Sequence, residues 1–137
     1  MAAKTAVGRY APISGTLGDG RVLIAGGYNE AEKDLRSAEL FNPANNTFEV
    51  LTAGHEMVEK RDEAAHVSLA NGNVLVLGGF NAAASNMKTA EEFNFESETF
   101  QKLPVEMVEP RDGPAAALLA NGQVLIAAGY NDITSSH

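Results

Sequence analysis

The sequence predicts an all-β chain built from four-stranded antiparallel units, and three observations carry that expectation. Short apolar runs, each entered by an Asx-Gly pair and closed by small residues, return about every 50 residues. Two longer blocks recur in the same register around those runs. No helix-length window keeps apolar residues at i, i+3, i+4 and i+7. The nearest helical pattern, residues 30–40, is replaced in the second unit by NAAASNMKTAEE, where the apolar face is not sustained.

The aligned runs are DGRVLIAGGYN at 19–29, NGNVLVLGGFN at 71–81 and NGQVLIAAGYN at 121–131. Segments 13–17, 65–69 and 115–119 precede them as first strands. Asp19-Gly20, Asn71-Gly72 and Asn121-Gly122 then supply the two positive-φ residues expected of a type I′ hairpin turn. Second strands follow at Val22–Ala25, Val74–Leu77 and Val124–Ala127, whose continuous apolar character suits burial on both faces. Gly26-Gly27, Gly78-Gly79 and Ala128-Gly129 close them, where a missing Cβ permits close approach or unusual φ. A polar loop leads to an alternating third strand around Ala38, Glu39 and Leu40, or Ala90, Glu91 and Glu92. An Asn- and Pro-rich or Ser- and Glu-rich turn leads to a fourth strand opening Thr47-Phe48 or Thr99-Phe100. EMVEKRDE at 56–63 recurs as EMVEPRDG at 106–113, and Arg9, Arg61 and Arg111 hold one equivalent position.

These features together resemble the kelch repeat of β-propellers. The resemblance spans 9–131 and rests on the arginine series, the double glycines, Phe41 and Phe93 in strand three, and Phe48 and Phe100 where kelch repeats usually place Trp. It divides the chain into blade 1 at about 9–57, blade 2 at about 60–107 and a half blade at about 110–131. Kelch propellers close with roughly five to seven blades, so the expectation is an incomplete propeller of about two and a half. The half blade would leave the edge formed by Val124, Leu125 and Ile126 exposed, and an unpaired edge selects for a partner. The chain is then a piece of a longer propeller, a subunit that self-associates to complete a ring, or a stub ending in a cap. Self-association is the favoured expectation for a protein stable on its own.

Composition narrows the partners. The formal net charge of -8, from 18 acidic and 10 basic side chains, repels a duplex or an anionic membrane before contact. The absence of Cys removes disulfide frameworks, thiolate nucleophiles and Cys-ligated metals. No leader pattern and no 18-residue apolar stretch occur in the sequence, which favours a cytoplasmic setting without fixing the compartment.

By the resemblance, ligands would meet the loops at 29–35, 81–87 and 131–136 and the inter-blade segments at 52–60 and 104–110. Tyr28-Asn29, Phe80-Asn81 and Tyr130-Asn131 offer an aromatic face beside an amide, against the plainer reading in which the ring packs between blades and Asn starts a turn. Arg9, Arg61 and Arg111 present guanidinium forks to an acidic partner, or hold their own blades through Asp62, Asp112 or loop carbonyls. Glu39 and Glu91, being repeat-equivalent, fall in different blades, so one internal hydrogen bond per blade is more economical than an acid–base pair. His55, His66 and His137 have no metal-ligand spacing, and acidic residues such as Glu30, Asp34 and Asp132 form no Ca²⁺ loop pattern. Asn45-Asn46-Thr47 is a glycosylation sequon, meaningful only after secretion. No nucleophile elbow, phosphate loop or zinc helix is present. The sequence therefore points to a non-enzymatic binding or scaffold module without cofactor or metal, recognising a protein or small polar ligand. The alternative is a partial copy of a galactose-oxidase-like, carbohydrate-active propeller enzyme with catalytic residues elsewhere.

Overall fold

A computed structural model describes residues 3–131. The first unit runs β1 (Ile13–Thr16), β2 (Val22–Ala25), the short strands β3 (Tyr28–Asn29) and β4 (Lys33–Asp34), then β5 (Ala38–Asn42) and β6 (Thr47–Val50). The second repeats it as β7 (Ala65–Ser68), β8 (Val74–Leu77), β9 (Phe80–Asn81), β10 (Ser85–Asn86), β11 (Ala90–Asn94) and β12 (Thr99–Lys102). The third contributes β13 (Ala115–Leu118) and β14 (Val124–Ala127). Hydrogen bonding orders the sheets β1-β2-β5-β6 and β7-β8-β11-β12, all neighbours antiparallel, with β13-β14 as a two-stranded remainder. First strands lie side by side, β1 against β7 and β7 against β13, so the sheets stack as successive blades of an unclosed propeller.

Two local expectations need correction. The hairpin turns are not type I′, because Gly20, Gly72 and Gly122 have positive φ while Asp19, Asn71 and Asn121 do not. Gly20 N–H donates to Leu17 O and Leu17 N–H to Arg21 O, giving a type I turn followed by a left-handed glycine, and the other units copy it. The Asx side chain instead accepts from the backbone two residues on, from Arg21 N–H, Asn73 N–H and Gln123 N–H, which holds its own φ negative. The polar loop after strand two is also more ordered than expected: β3-β4 and β9-β10 are small hairpins, with Lys33 and Ser85 in the left-handed region.

The core lies between blades. Leu23 and Ala25 on the far side of β2, with Ile13, Leu40 and Met57, meet Val74, Val76 and Phe93 on the near side of the second sheet. Leu75, Leu77 and Ala90 on the opposite side of that sheet meet Val124 and Ile126 of the third unit. Burial on both faces, expected for all three second strands, therefore holds only for β8; β2 and β14 each have one covered side.

The edge predicted at Val124, Leu125 and Ile126 divides accordingly. Val124 and Ile126 pack inward on the second blade, while Leu125 points outward and is 52% exposed. Among the described residues, β14 pairs only with β13, so its other edge is open where β5 and β11 lie in the preceding units.

Candidate functional site

The arginine series builds the same node twice. Arg9 Nη1 donates to Gly26 O and Ser37 O, both at 2.9 Å, while Nε and Nη2 reach Glu39 Oε2 at 3.3 and 3.2 Å. Arg61 Nη1 donates to Gly78 O and Thr89 O at 2.9 Å, and Nε to Glu91 Oε2 at 2.9 Å. Its Nη2 adds Glu59 and Thr89 Oγ1. One arginine thus ties the end of strand two, the start of strand three and a strand-three carboxylate into a unit.

That carboxylate is also gripped from the preceding segment. Glu39 accepts from Ala6 N–H at 2.6 Å and Val7 N–H at 3.4 Å, and Glu91 from Val58 N–H at 2.6 Å and Glu59 N–H at 3.1 Å. Burying a charged pair is favourable only when its remaining hydrogen-bonding capacity is met, and here it is. Glu39, Glu91 and Arg61 are fully buried, so the carboxylates are structural and not an acid–base pair. Loop carbonyls are arginine partners as expected, but the acid is Glu39 or Glu91 and not Asp62 or Asp112. Sequence reasoning placed both halves of the node yet did not join them, since they stand 30 residues apart. Their recurrence at constant separation was the available signal.

Arg111 departs from this pattern. Its Nη1 donates to Ala128 O at 2.6 Å, the counterpart of Gly26 O and Gly78 O, but no strand three follows among the described residues and no carboxylate meets it there.

The double glycines explain how one unit seats the next. Gly26 (φ 64°) and Gly78 (φ 62°) would each drive a Cβ against the following arginine's carbonyl, to 2.5 Å from Arg61 O and 2.6 Å from Arg111 O. The next glycine's amide bonds that same carbonyl: Gly27 N–H to Arg61 O and Gly79 N–H to Arg111 O, both 2.8 Å. Ala128 takes the same backbone conformation (φ 60°) with a methyl group. Among the described residues no following unit stands against it.

The aromatic-Asn pairs are largely committed to the scaffold. Asn29 Nδ2 donates to Gly8 O and its Oδ1 accepts from Glu32 N–H. Asn81 does the same with Lys60 O and with the amides of Ala83 and Ala84. Each therefore closes a minor hairpin and pins it to the segment before its blade. Tyr28, Phe80 and Tyr130 form backbone bridges with Tyr10, Asp62 and Asp112. Tyr28 still opens onto a shallow depression with Tyr10, Asn29, Glu30 and Asp62, and Tyr130 is 44% exposed. Asn131 is buried, and the rest of its loop, with Asp132 and His137, lies outside the described residues.

Four acidic side chains, Asp34, Asp62, Glu63 and Asp112, lie within electrostatic reach of one another beside these hairpins. Partial burial, then the nearby charges of Asp34, Asp112 and Glu63, push the Asp62 carboxyl up to about 6. Burial pushes the His66 imidazole down, in keeping with a packed histidine. Among the described residues there is no group of three or more His, Asp or Glu side chains able to hold a metal, and no helix long and apolar enough to cross a membrane.

Residues 9–53 match the Kelch motif family. The matched span begins at Arg9 and takes in β1 to β6, the whole first sheet with its arginine node. The second sheet repeats that blade in register, and the third unit repeats its first two strands among the described residues. No curated protein matches the chain.

Proposed function

From the premise of kelch-type blades, we propose that the chain is a non-enzymatic protein-binding module that associates with another polypeptide through the face of its third unit left open among the described residues. One observation carries the reading. Leu125 is 52% exposed, whereas its equivalents Leu23 and Leu75 are 0% and 9% exposed under the next blade. Ala115, Ala117 and Ala127 are exposed with it, making an apolar sheet face beside an open strand edge. Such a face and edge favour association. Kelch repeats usually serve protein binding, which supports the same direction. The covering chain is a second copy, as the sequence favours, or a different protein.

Sedimentation velocity of the purified chain, followed by a pull-down with Leu125→Lys as control, tests the proposal. Saturable binding to a copy or a partner, lost in Leu125→Lys with the fold intact by circular dichroism, is the expected result. A monomer that captures nothing, or turnover of a sugar by the isolated chain, would overturn it.

A further inference from the structure

The junction of the first two units carries an aromatic and acidic depression that the arginine and glycine framework does not use. Tyr10 and Tyr28 exchange both backbone hydrogen bonds, at 2.8 and 2.9 Å, so their side chains leave the same side of the ribbon next to each other. With Asn29, Glu30 and Asp62 they line a shallow cavity of about 530 Å³. Its walls belong to the first unit and to the segment that opens the second, both of which are described. Tyr10 is 68% exposed and Tyr28 half-buried, so both rings are within reach of a ligand.

These residues depart from the repeat where the framework obeys it. The second unit has Asp62, Phe80 and Ala82 in the places of Tyr10, Tyr28 and Glu30, so its equivalent junction offers one ring instead of two. A purely structural role would call for the same residues in each unit. The cavity is also short of positive charge. Burial and the acidic neighbours Asp34, Asp112 and Glu63 let the Asp62 carboxyl hold its proton up to about 6, and its buried Oδ1 has no hydrogen-bond partner. A cation brought to Asp62 relieves both conditions. The chain already realises such a grouping at the rim: the Lys33 ammonium stands 5.7 Å from the centre of the Tyr28 ring and pairs with Glu30 at 3.2 Å.

We propose that this cavity binds a guanidinium group, carried by an arginine side chain of a partner protein. The flat cation lies against the tyrosine rings and donates its N–H groups to the Asp62 carboxylate. A guanidinium fits better than an ammonium because it is planar, weakly hydrated and able to stack and hydrogen-bond at once. The net charge of -8 draws such a side chain toward the surface. The contact adds to the association through the third unit and does not depend on it, since Tyr10 and Leu125 lie in different units.

Titration of N-acetylarginine amide into the isotopically labelled intact chain, followed through its amide and tyrosine-ring resonances, tests the inference. N-acetylcitrulline amide, of the same shape without the charge, is titrated in parallel. Saturable shifts centred on Tyr10, Tyr28 and Asp62, with an affinity about tenfold or more weaker for citrulline, are expected. Arginine flanked by alanines in a capped pentapeptide should bind at least as tightly, because the cavity is shallow and open; a small compound that binds while the peptide does not would overturn the assignment to a partner protein. Tyr10→Ala removes one ring and should weaken binding about threefold or more. Asp62→Asn removes the carboxylate and should weaken it about tenfold or more. Shifts scattered over the acidic surface, an equal response to citrulline, no saturation at any soluble concentration, or unchanged affinity in the two variants would overturn the inference. Leu125→Lys should leave the titration as it is, so failure here and failure of association through the third unit are read separately.

Discussion

Strands β8 and β14 are near copies in sequence, VLVL and VLIA, yet the first is buried along its whole length and the second alternates between half-buried and exposed residues. The difference lies in the neighbours. β8 has a sheet on each side and a strand at each edge, while β14 has one of each among the described residues. β2, again VLIA, is intermediate: its far side is buried and its near side half-covered. A kelch-type blade is therefore finished by the blades around it, and equivalent substitutions in units two and three should differ in cost.

The arginine node should give the widest gap. Arg61→Ala strips a buried carboxylate of its cation and is expected to cost about 3–5 kcal/mol in urea denaturation. Arg111→Ala removes one hydrogen bond at a half-covered site and should cost under about 1 kcal/mol. Equal losses would mean that Arg111 already has a carboxylate partner. Cavity formation should come next: Leu75→Ala costs about 2–4 kcal/mol, whereas Leu125→Ala stays near zero because no packing is lost. The same denaturation series measures both.

Gly78→Ala forces a methyl against Arg111 O and should destabilise by about 1–3 kcal/mol. Ala128→Gly, at a position where alanine already holds a positive φ, should be neutral or nearly so. Thermal melts of the two variants report the contrast. The smallest effect is electrostatic. Asp62 binds its proton more tightly in the fold, with its pKa raised from 3.8 to about 6. Its contribution favours the fold below the ordinary carboxylate value and is lost as pH rises through about 6. Asp62→Asn should accordingly gain about 1 kcal/mol at pH 7, the repulsion being screened at a partly open site, and gain little at pH 4. Melting curves at the two pH values check the sign.

Much of this architecture is legible in the sequence because repetition turns weak local signals into a register. The apolar runs, the glycines and the Thr-Phe openings mark the four main strands of each complete unit. The minor hairpins escaped because two-residue strands have no periodicity; only Asn29 and Asn81 announce them, by starting their turns. The turn type is ambiguous in the sequence because Asx-Gly suits both a type I′ turn and a type I turn with a left-handed glycine, and the choice depends on whether the Asx side chain accepts the amide two residues on. Which faces are covered was not legible at all. Burial of Leu23, Leu75 and Leu125 is set by the next unit and not by their own sequence neighbourhood.

Amide hydrogen exchange at Val124–Ala127 tests most directly whether the third unit's sheet is left open where the second unit's is covered. In the dilute chain alone, the amides on the open edge should exchange far faster than those of Val74–Leu77, and association with a second copy or a partner should slow them toward the β8 rate. Equal protection of the two strands in the dilute chain, or exchange that association leaves unchanged, would contradict the account.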